Sequence, residues 1–356
     1  MIGQRVKLAR RAAGFTLREL ADRVGVSAMA ISKYETGKSV PSSKVLLALS
    51  KALNVKTEYF LRTQRPELQE MRFRKHPELK DSVRKQVEAR ALEQVERFQE
   101  IAERFPNQAF DKFEIPIQLP KQISDYAELE IVAEDLRKAW NLGREPIPDL
   151  TDVLERNGIR VFQCAIGEAS DSFSGLAARV DGMPIVVIAM EHPGDRQRFT
   201  LAHELGHLIL EGVKLSGNLN IEKAADRFAG CFLVPAMAGI NRLGENRASL
   251  EPRELWLLKQ EYGLSMCGWL HRARDLGVIS YYSYRDMWHF FDAHGWSKKE
   301  PFEELRREKP KLLEQLVFRA LAEDLVSESK AAELLSLPLF DFKKLRNMER
   351  ASTRRQ

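Results

Sequence analysis

The chain has 356 residues, enough for two or three domains that each bury a core. Charged residues make up 30% and hydrophobic residues 44%; with no run approaching 18 apolar residues and no basic-then-apolar leader, we expect neither a membrane span nor a secretory signal, but a cytoplasmic protein. The net charge of +5 is unevenly held: residues 1–62 carry 12 Lys/Arg against 4 Asp/Glu, and the remainder 44 against 47. Such a basic head points to nucleic acid, and the three cysteines (Cys164, Cys231, Cys267), not at ligand spacing, read as buried thiols.

The head reads as short helices. Ile2–Ala12 carries Ile2, Val6 and Ala9 at helical spacing, and Gly14 breaks it. Thr16-Leu17-Arg18-Glu19 is a capping box that opens Leu17–Val24. Gly25 ends that helix, Ser27 caps the next, which runs to Gly37, and Pro41-Ser42-Ser43 starts a fourth with Leu46, Leu49 and Leu53 inward. Two helices joined through Gly25 make a helix-turn-helix, for which double-stranded DNA is the expected partner and a protein-docking domain the alternative.

The segments Thr16–Ala21, Val26-Ser27, Ile31–Gly37 and Pro41 resemble the lambda-repressor/Cro-like (XRE) family. That resemblance implies that the second helix enters the major groove, presenting Ala28, Met29, Ala30, Ser32 and Lys33 after Ser27. Only Ser32 and Lys33 there can hydrogen-bond base edges, while Ala and Met can touch thymine methyls. Phosphate contacts from Arg5, Arg10, Arg11, Arg18 and Lys38 are expected to supply most of the affinity, so specificity should be modest.

After Arg62 the chain turns polar. Pro77 begins a helical pattern that ends before Pro106, with Leu79, Val83, Val87, Ala91, Val95, Phe98, Ala102 and Phe105 at three- and four-residue steps. It would span about 43 Å. So narrow a stripe can pair two protomers or fold back on the following domain; because such heads bind two half-sites, a homodimer is the expectation. Phe110–Asp125, with Pro116 and Pro120, is a connector.

Tyr126–Trp140 and Pro146–Arg156 read as helices; Ile159–Phe162, Ser174–Val180 and Pro184–Ala189 read as strands of a small antiparallel sheet, with Asp181-Gly182 as a hairpin turn. The next stretch, Phe199–Leu210, contains His203-Glu204-Leu205-Gly206-His207. Histidines at i and i+4 share one helix face, so both imidazoles can reach one metal ion, and Glu204 can meet a water at the metal as general base. A catalytic zinc takes three protein ligands and keeps one position open. Fifteen residues on, Ile221–Phe232 has an apolar stripe bordered by Glu222 and Asp226, one turn apart. Carboxylates there are costly unless they coordinate or accept hydrogen bonds, so Glu222 is read as the third ligand and Asp226 as the acceptor for a ligating histidine's ring N–H.

The run Arg198–Leu208, followed by Glu222–Ala229 and Leu233-Val234-Pro235, resembles the ImmA/IrrE family of zinc metallopeptidases, over about residues 127–280. The family belongs to the gluzincins, with His, His and Glu as ligands, and its members cleave helix-turn-helix repressors under stress or in mobile-element control. Where the family often ends the preceding strand in Asn, this chain has Ala189.

Farther on, Pro252–Tyr262 and Ser265–Leu276 read as helices, Val278–Tyr284 as a short strand, and Pro310–Asp324 and Ser327–Leu335 as helices of a tail resembling the extension of fused regulators. His271, His289 and His294 lack ligand spacing and receive no role; Tyr281, Tyr282 and Tyr284 are candidates for stabilising an oxyanion. The expected fold is mainly α with a small antiparallel sheet (α+β). Its expected domains are a helix-turn-helix (1–62), a helical linker offering a dimerisation surface (63–125), a zinc domain (126–285), a helical C-terminal domain (286–342) and a disordered basic tail (343–356). The expected function is a DNA-binding regulator whose zinc endopeptidase cleaves a repressor-type protein, in cis, in trans or as a separate partner. The rival is a regulator whose zinc domain senses without cutting.

Overall fold

Local caps set the first helices. The computed structural model describes residues 2–61, 68–73 (backbone only), 80–105, 112–167 and 172–349. Helix α1 (Ile2–Ala12) is followed by α2 (Leu17–Val24), whose Thr16 and Glu19 close the capping box in both directions. Gly25 ends α2 at φ 75°, a left-handed conformation that costs glycine nothing. The Ser27 hydroxyl then accepts from Ala30 N to start α3 (Ala28–Glu35). Helix α4 (Ser43–Leu53) and a 3-10 turn (Thr57–Leu61) complete a core of Val6, Leu20, Ile31, Leu49 and Phe60, each fully buried.

After strand β1 (Leu68–Phe73) comes α5 (Asp81–Ala102). Part of its stripe packs within its own unit: Val87, Ala91, Val95 and Ile101 are buried, and the helix packs on α1. Arg5, 1% exposed, pairs with Glu96, and Arg90 Nε donates to Ala12 O at 2.7 Å. Pro77 and Leu79 lie outside the described residues.

The second half begins with β2 (Gln122–Ile123), α6 (Leu129–Ala139) and α7 (Leu150–Arg156). Strands β3 (Arg160–Cys164), β4 (Gly175–Val180) and β5 (Met183–Ala189) follow. The sheet order is β1-β4-β5-β3. It is mixed rather than antiparallel throughout: β4 and β5 form the expected hairpin, while β3 runs parallel to β5. Four of the five β3 residues are buried, as parallel strands covered on both faces require.

Helix α8 (Gly194–Ile209) lies on β4 and β5, and its other side meets α9 (Ile221–Leu233). The loop between them carries β6 (Lys214–Leu215), unforeseen in the sequence, which pairs in parallel with β2. Helices α10 (Ala236–Leu243), α11 (Pro252–Tyr262), α12 (Met266–Asp275) and α13 (Tyr281–Ala293) complete this core. The expected strand Val278–Tyr284 is corrected to the start of α13: the Ser280 hydroxyl accepts from Ser283 N, and this local cap outweighs the β-propensity of the tyrosines. Ile279 alone keeps a bridge, to Arg247.

Three further helices, α14 (Leu312–Ala322), α15 (Glu328–Leu334) and α16 (Leu339–Arg346), end the described chain. The disordered tail is corrected too: Lys343–Arg346 are helical because Phe342, fully buried, stacks on Phe318 at 5.6 Å. Residues 350–356 lie outside the described residues. Two compact units result. One joins Met1–Gln69, Lys75–Ala109 and Leu313–Gln356, the other Glu70–Arg74 and Phe110–Leu312. In the first, Lys330 pairs with Glu100 and Arg319 lies over the Phe105 ring, so the C-terminal helices share its core with α5. No helix of the described residues is long and apolar enough to cross a membrane.

Candidate metal centre and DNA-reading helices

Nearly every residue of α8 is buried, including His203 and Glu204 at 0% exposure. A helix enclosed on all sides must find partners for its polar groups. Its N-terminal turn is fixed by buried pairs. Arg198 donates to Glu308 Oε1 and to Ile147 O, both at 2.6 Å, and Lys259 bridges Asp195 and Glu300.

The two histidines converge with Glu222. Their Nε2 atoms are 3.0 Å apart, and Glu222 oxygens lie 3.5 Å from one and 3.6 Å from the other. Among the described residues this is the one trio of His, Cys, Asp or Glu whose ligand atoms all fall within 4.8 Å. Around one tetrahedral ion at about 2.0–2.1 Å, ligand atoms stand roughly 3.3 Å apart. Two ring nitrogens so close need a proton or a cation between them, and the carboxylate adds a third donor that a cation could share. The donor set therefore fits a first-row divalent metal.

The neighbours prepare these ligands. His203 Nδ1 is 2.8 Å from Asp226 Oδ1; a ring proton held there leaves the Nε2 lone pair for the ion. The Asn220 side chain accepts from Glu222 N and Lys223 N, and Asn220 N donates to Tyr126, which places the first turn of α9. Two glycines permit the approach. A Cβ on Gly206 would lie 3.0 Å from Phe228 and 3.3 Å from Ala225 of α9, and one on Gly175 of β4 would meet Thr200 and Glu204. Exposure is lopsided: the α8 groups are buried, whereas the Glu222 and Asp226 side chains are 40% and 44% exposed. The centre is thus open on the α9 side.

Beneath that side runs a charge network that spacing gave no means to foresee. Arg227 bridges Glu130 at 2.9 Å and Asp275 at 2.5 Å, and Arg272, 1% exposed, pairs with Glu130 and donates to Val234 O. Burial opposes these charges, and hydrogen bonds to Arg272 hold Glu130 below the usual carboxylate range despite it. Tyr281 and Tyr282 are exposed at the surface, while the Tyr284 hydroxyl lies 3.3 Å from His271 Nδ1. His271 faces a cleft that Asp226 also lines. His289 and His294 are not brought into the trio.

In the basic head, Arg18, Ser27, Met29, Lys33 and Lys38 are exposed, and Ala28 and Ser32 partly so. Two of the arginines expected at phosphates have partners within the head and α5. Arg5 is buried against Glu96 with its guanidinium over the Tyr59 ring. Arg10 forks onto Glu35 at 2.5 and 3.0 Å and donates to Phe15 O, so its charge ties α1 to α3. Sequence cannot distinguish an arginine that a glutamate 25 residues away has claimed.

Known proteins resemble the chain in two separate stretches. Residues 6–60 match the helix-turn-helix family model, and residues 154–274 match that of the IrrE N-terminal-like domain. An uncharacterised HTH-type transcriptional regulator YonR of the SPbeta prophage in Bacillus subtilis is 37% identical over 62 residues, 17% of this chain and 57% of that protein. The HTH-type transcriptional regulator ImmR of the same organism is 38% identical over 60 residues, covering 17% and 47%. Vegetative-specific protein H7 of Dictyostelium discoideum is 42% identical over 55 residues, covering 15% and 53%. The chain spans about half the length of these curated relatives. The chain is thus similar to a helix-turn-helix at its N-terminus and to an IrrE N-terminal-like domain over the residues that carry the His203, His207 and Glu222 trio.

Proposed function

We propose that the protein is a cytoplasmic, DNA-binding transcription regulator with a zinc-dependent endopeptidase domain that cleaves a repressor-type protein and so controls a stress-response or mobile-element operon. The observation that carries the reading is the open trio: three converging ligands on two helices, with Glu204 between the histidines. A structural zinc would close its fourth position with another side chain.

In this reading His203, His207 and Glu222 would hold zinc, which would supply an acidified water and polarise the peptide carbonyl. Asp226 orients His203 through Nδ1. Glu204, enclosed in α8, takes the proton from the attacking water and delivers it to the leaving amine. The sheet edge can hold an extended peptide by backbone pairing. In the head, α3 enters the major groove with Ser32 and Lys33 toward bases and Ser27, Ala28 and Met29 around them, while Arg11, Arg18 and Lys38 meet phosphates. Two such heads on a palindromic operator would make the working form a dimer, paired through a surface other than the buried stripe of α5.

The test is Glu204→Gln, which keeps volume but cannot take the proton. Zinc content and DNA affinity should match the parent, while fragments of the target, read by mass, should vanish and the promoter stay uninduced. A variant that induces normally, with no fragment in either strain, would make the domain a sensor.

A further inference from the structure

We propose that the cleft beside Asp226, about 560 Å3 in volume, receives an acidic segment of the peptide substrate, with Lys223 attracting its carboxylate and His271 donating a hydrogen bond to its backbone carbonyl. This rests on the peptidase reading and names the substrate class of the same centre.

Position comes first. The cleft lies between α9 and α12 and is bordered by Phe199, one turn ahead of His203 on α8. Asp226 in its wall holds His203 at 2.8 Å, and Lys223 follows Glu222 directly. An extended chain in the cleft therefore runs beside the trio on the side where the carboxylates are exposed. A cleft of this size, with a few converging polar groups, is the usual form of a ligand site.

His271 is held for one task. Its ring packs on Tyr284 at 5.3 Å and on Trp288 at 5.1 Å, and the Tyr284 hydroxyl reaches Nδ1. With that hydroxyl donating, the ring proton sits on Nε2, for which no hydrogen bond is made among the described residues. Burial, and then Arg274, hold the imidazole below its ordinary range, so it is a neutral donor at pH 7. A neutral donor suits a backbone carbonyl.

Charge then selects the side chain. Arg227 and Arg272 in the wall are engaged by Glu130, and Arg227 also by Asp275, while Asp226 accepts from the neutral His203 and keeps its charge. Arg274 is shared with Asp275 at 2.7 Å yet remains 36% exposed. Lys223 is exposed and makes no ion pair among the described residues. Four cations, Lys223, Arg227, Arg272 and Arg274, thus face three carboxylates, Asp226, Asp275 and Glu130, and the positive remainder favours Asp or Glu in the bound segment.

Three hydroxamates distinguish the parts, titrated into the zinc-loaded full-length protein by calorimetry. Acetohydroxamic acid touches the metal alone; two tripeptidyl hydroxamates carry Glu or Lys at their central residue. The Glu peptide should bind about tenfold tighter than the Lys peptide, and Lys223→Gln should erase that ratio. His271→Ala should weaken both peptides about tenfold and leave acetohydroxamic acid unchanged, with His271→Gln restoring part of the loss through its amide N–H. Zinc content, measured on each variant, should not change. Equal losses for all three compounds would make His271 a support for the metal rather than a substrate contact. Equal binding of the two peptides, or their displacement by a short single-stranded oligonucleotide with equal loss in Lys223→Gln, would overturn the acidic-peptide assignment in favour of none or of a phosphate. If acetohydroxamic acid does not bind, the metal reading fails by itself. The cleft is then judged by anisotropy of a dansylated Glu-rich peptide without a hydroxamate, where binding independent of Lys223 and His271 overturns the proposal.

Discussion

The two candidate sites use opposite economies. The candidate metal centre rests on buried side chains of one helix, His203 and Glu204 at 0% exposure, enclosed by a sheet and by α9, with only its carboxylates on α9 partly exposed. The proposed DNA-reading surface is built from exposed ones, Arg18, Met29, Lys33 and Lys38, on short helices stapled from behind by Arg5–Glu96 and Arg10–Glu35. A buried site fixes geometry and depends on its whole surroundings. An exposed one tolerates the loss of a single contact, because each phosphate contributes separately. Substitutions in the metal centre should therefore act all-or-none and those on the head by degrees.

The largest effects should fall on Glu204 and the trio. Glu204→Gln should lower cleavage of a protein target by about 10²–10⁴, the usual share of a general base, without metal loss. His203→Ala, His207→Ala and Glu222→Ala should each abolish stoichiometric zinc, about one per chain, by metal analysis after dialysis. A Glu222→Ala protein that keeps its zinc would move the third ligand elsewhere. Asp226→Ala should be milder, about 10–100-fold in zinc affinity, since it loosens His203 without removing a donor.

Next comes the fit between α8 and α9. Gly206→Ala puts a methyl 3.0 Å from Phe228. The helices must part or the ring must turn, at a cost of about 1–3 kcal/mol in stability. Because Glu222 rides on α9, zinc affinity should fall with thermal stability. Weakened zinc binding without a lower melting temperature would contradict this coupling.

These substitutions also mark what sequence could reveal. His203, Glu204 and His207 sit within one turn of helix, so spacing alone brings them together, and the i, i+4 rule placed Glu222 and Asp226 on one edge of the next. The caps at Thr16 and Ser27 are equally local, which is why the helices of the head were legible. What spacing could not carry is long-range pairing. Glu96 claims Arg5 from 91 residues away, Glu130 claims Arg272 from 142, and His271 reaches the cleft beside Asp226 only through the tertiary fold. The stripe of α5 was read correctly as apolar, yet its partner, α1, is not encoded in its own period. The cap at Ser280 overturned the expected strand at Val278–Tyr284 for the converse reason, a short-range bond stronger than a run's propensity.

On the head the effects should be smaller and separable. Lys38→Ala and Arg18→Ala should each weaken DNA binding about equally for all sequences and reduce the salt slope by about 1, while Lys33→Ala relaxes specificity. Arg10→Ala should behave differently. It removes the fork onto Glu35, lowering the melting temperature of the head while leaving the salt slope near that of the parent. A slope reduced as much as by Lys38→Ala would return Arg10 to the phosphates.

The smallest effect expected is a pH dependence that separates the two units. In the first, Glu93 on α5 accepts from the Tyr59 hydroxyl at 3.3 Å, and burial pushes its carboxyl up to about 7. In the second, burial does the same to Glu155, also to about 7, against backbone donors at Leu312 and Lys311. Between the ordinary carboxylate value and 7, the folded protein keeps a proton that the unfolded chain has released. Stability from each group is therefore greatest at low pH, falls as pH rises through that window, and levels off above it. The full shift would correspond to at most ~3 kcal/mol per group, less where solvent reaches the carboxyl. Glu93→Gln keeps a neutral side chain at every pH, so it should raise the melting temperature of the first unit at pH 8 and change it little at pH 5.5; Glu155→Gln should do the same for the second. Calorimetry of both variants at the two pH values reads this directly. If Glu93→Gln changes the melting temperature equally at pH 5.5 and 8, its carboxyl is ionised across the range, and the pocket between α1 and α5 is wetter than its packing implies.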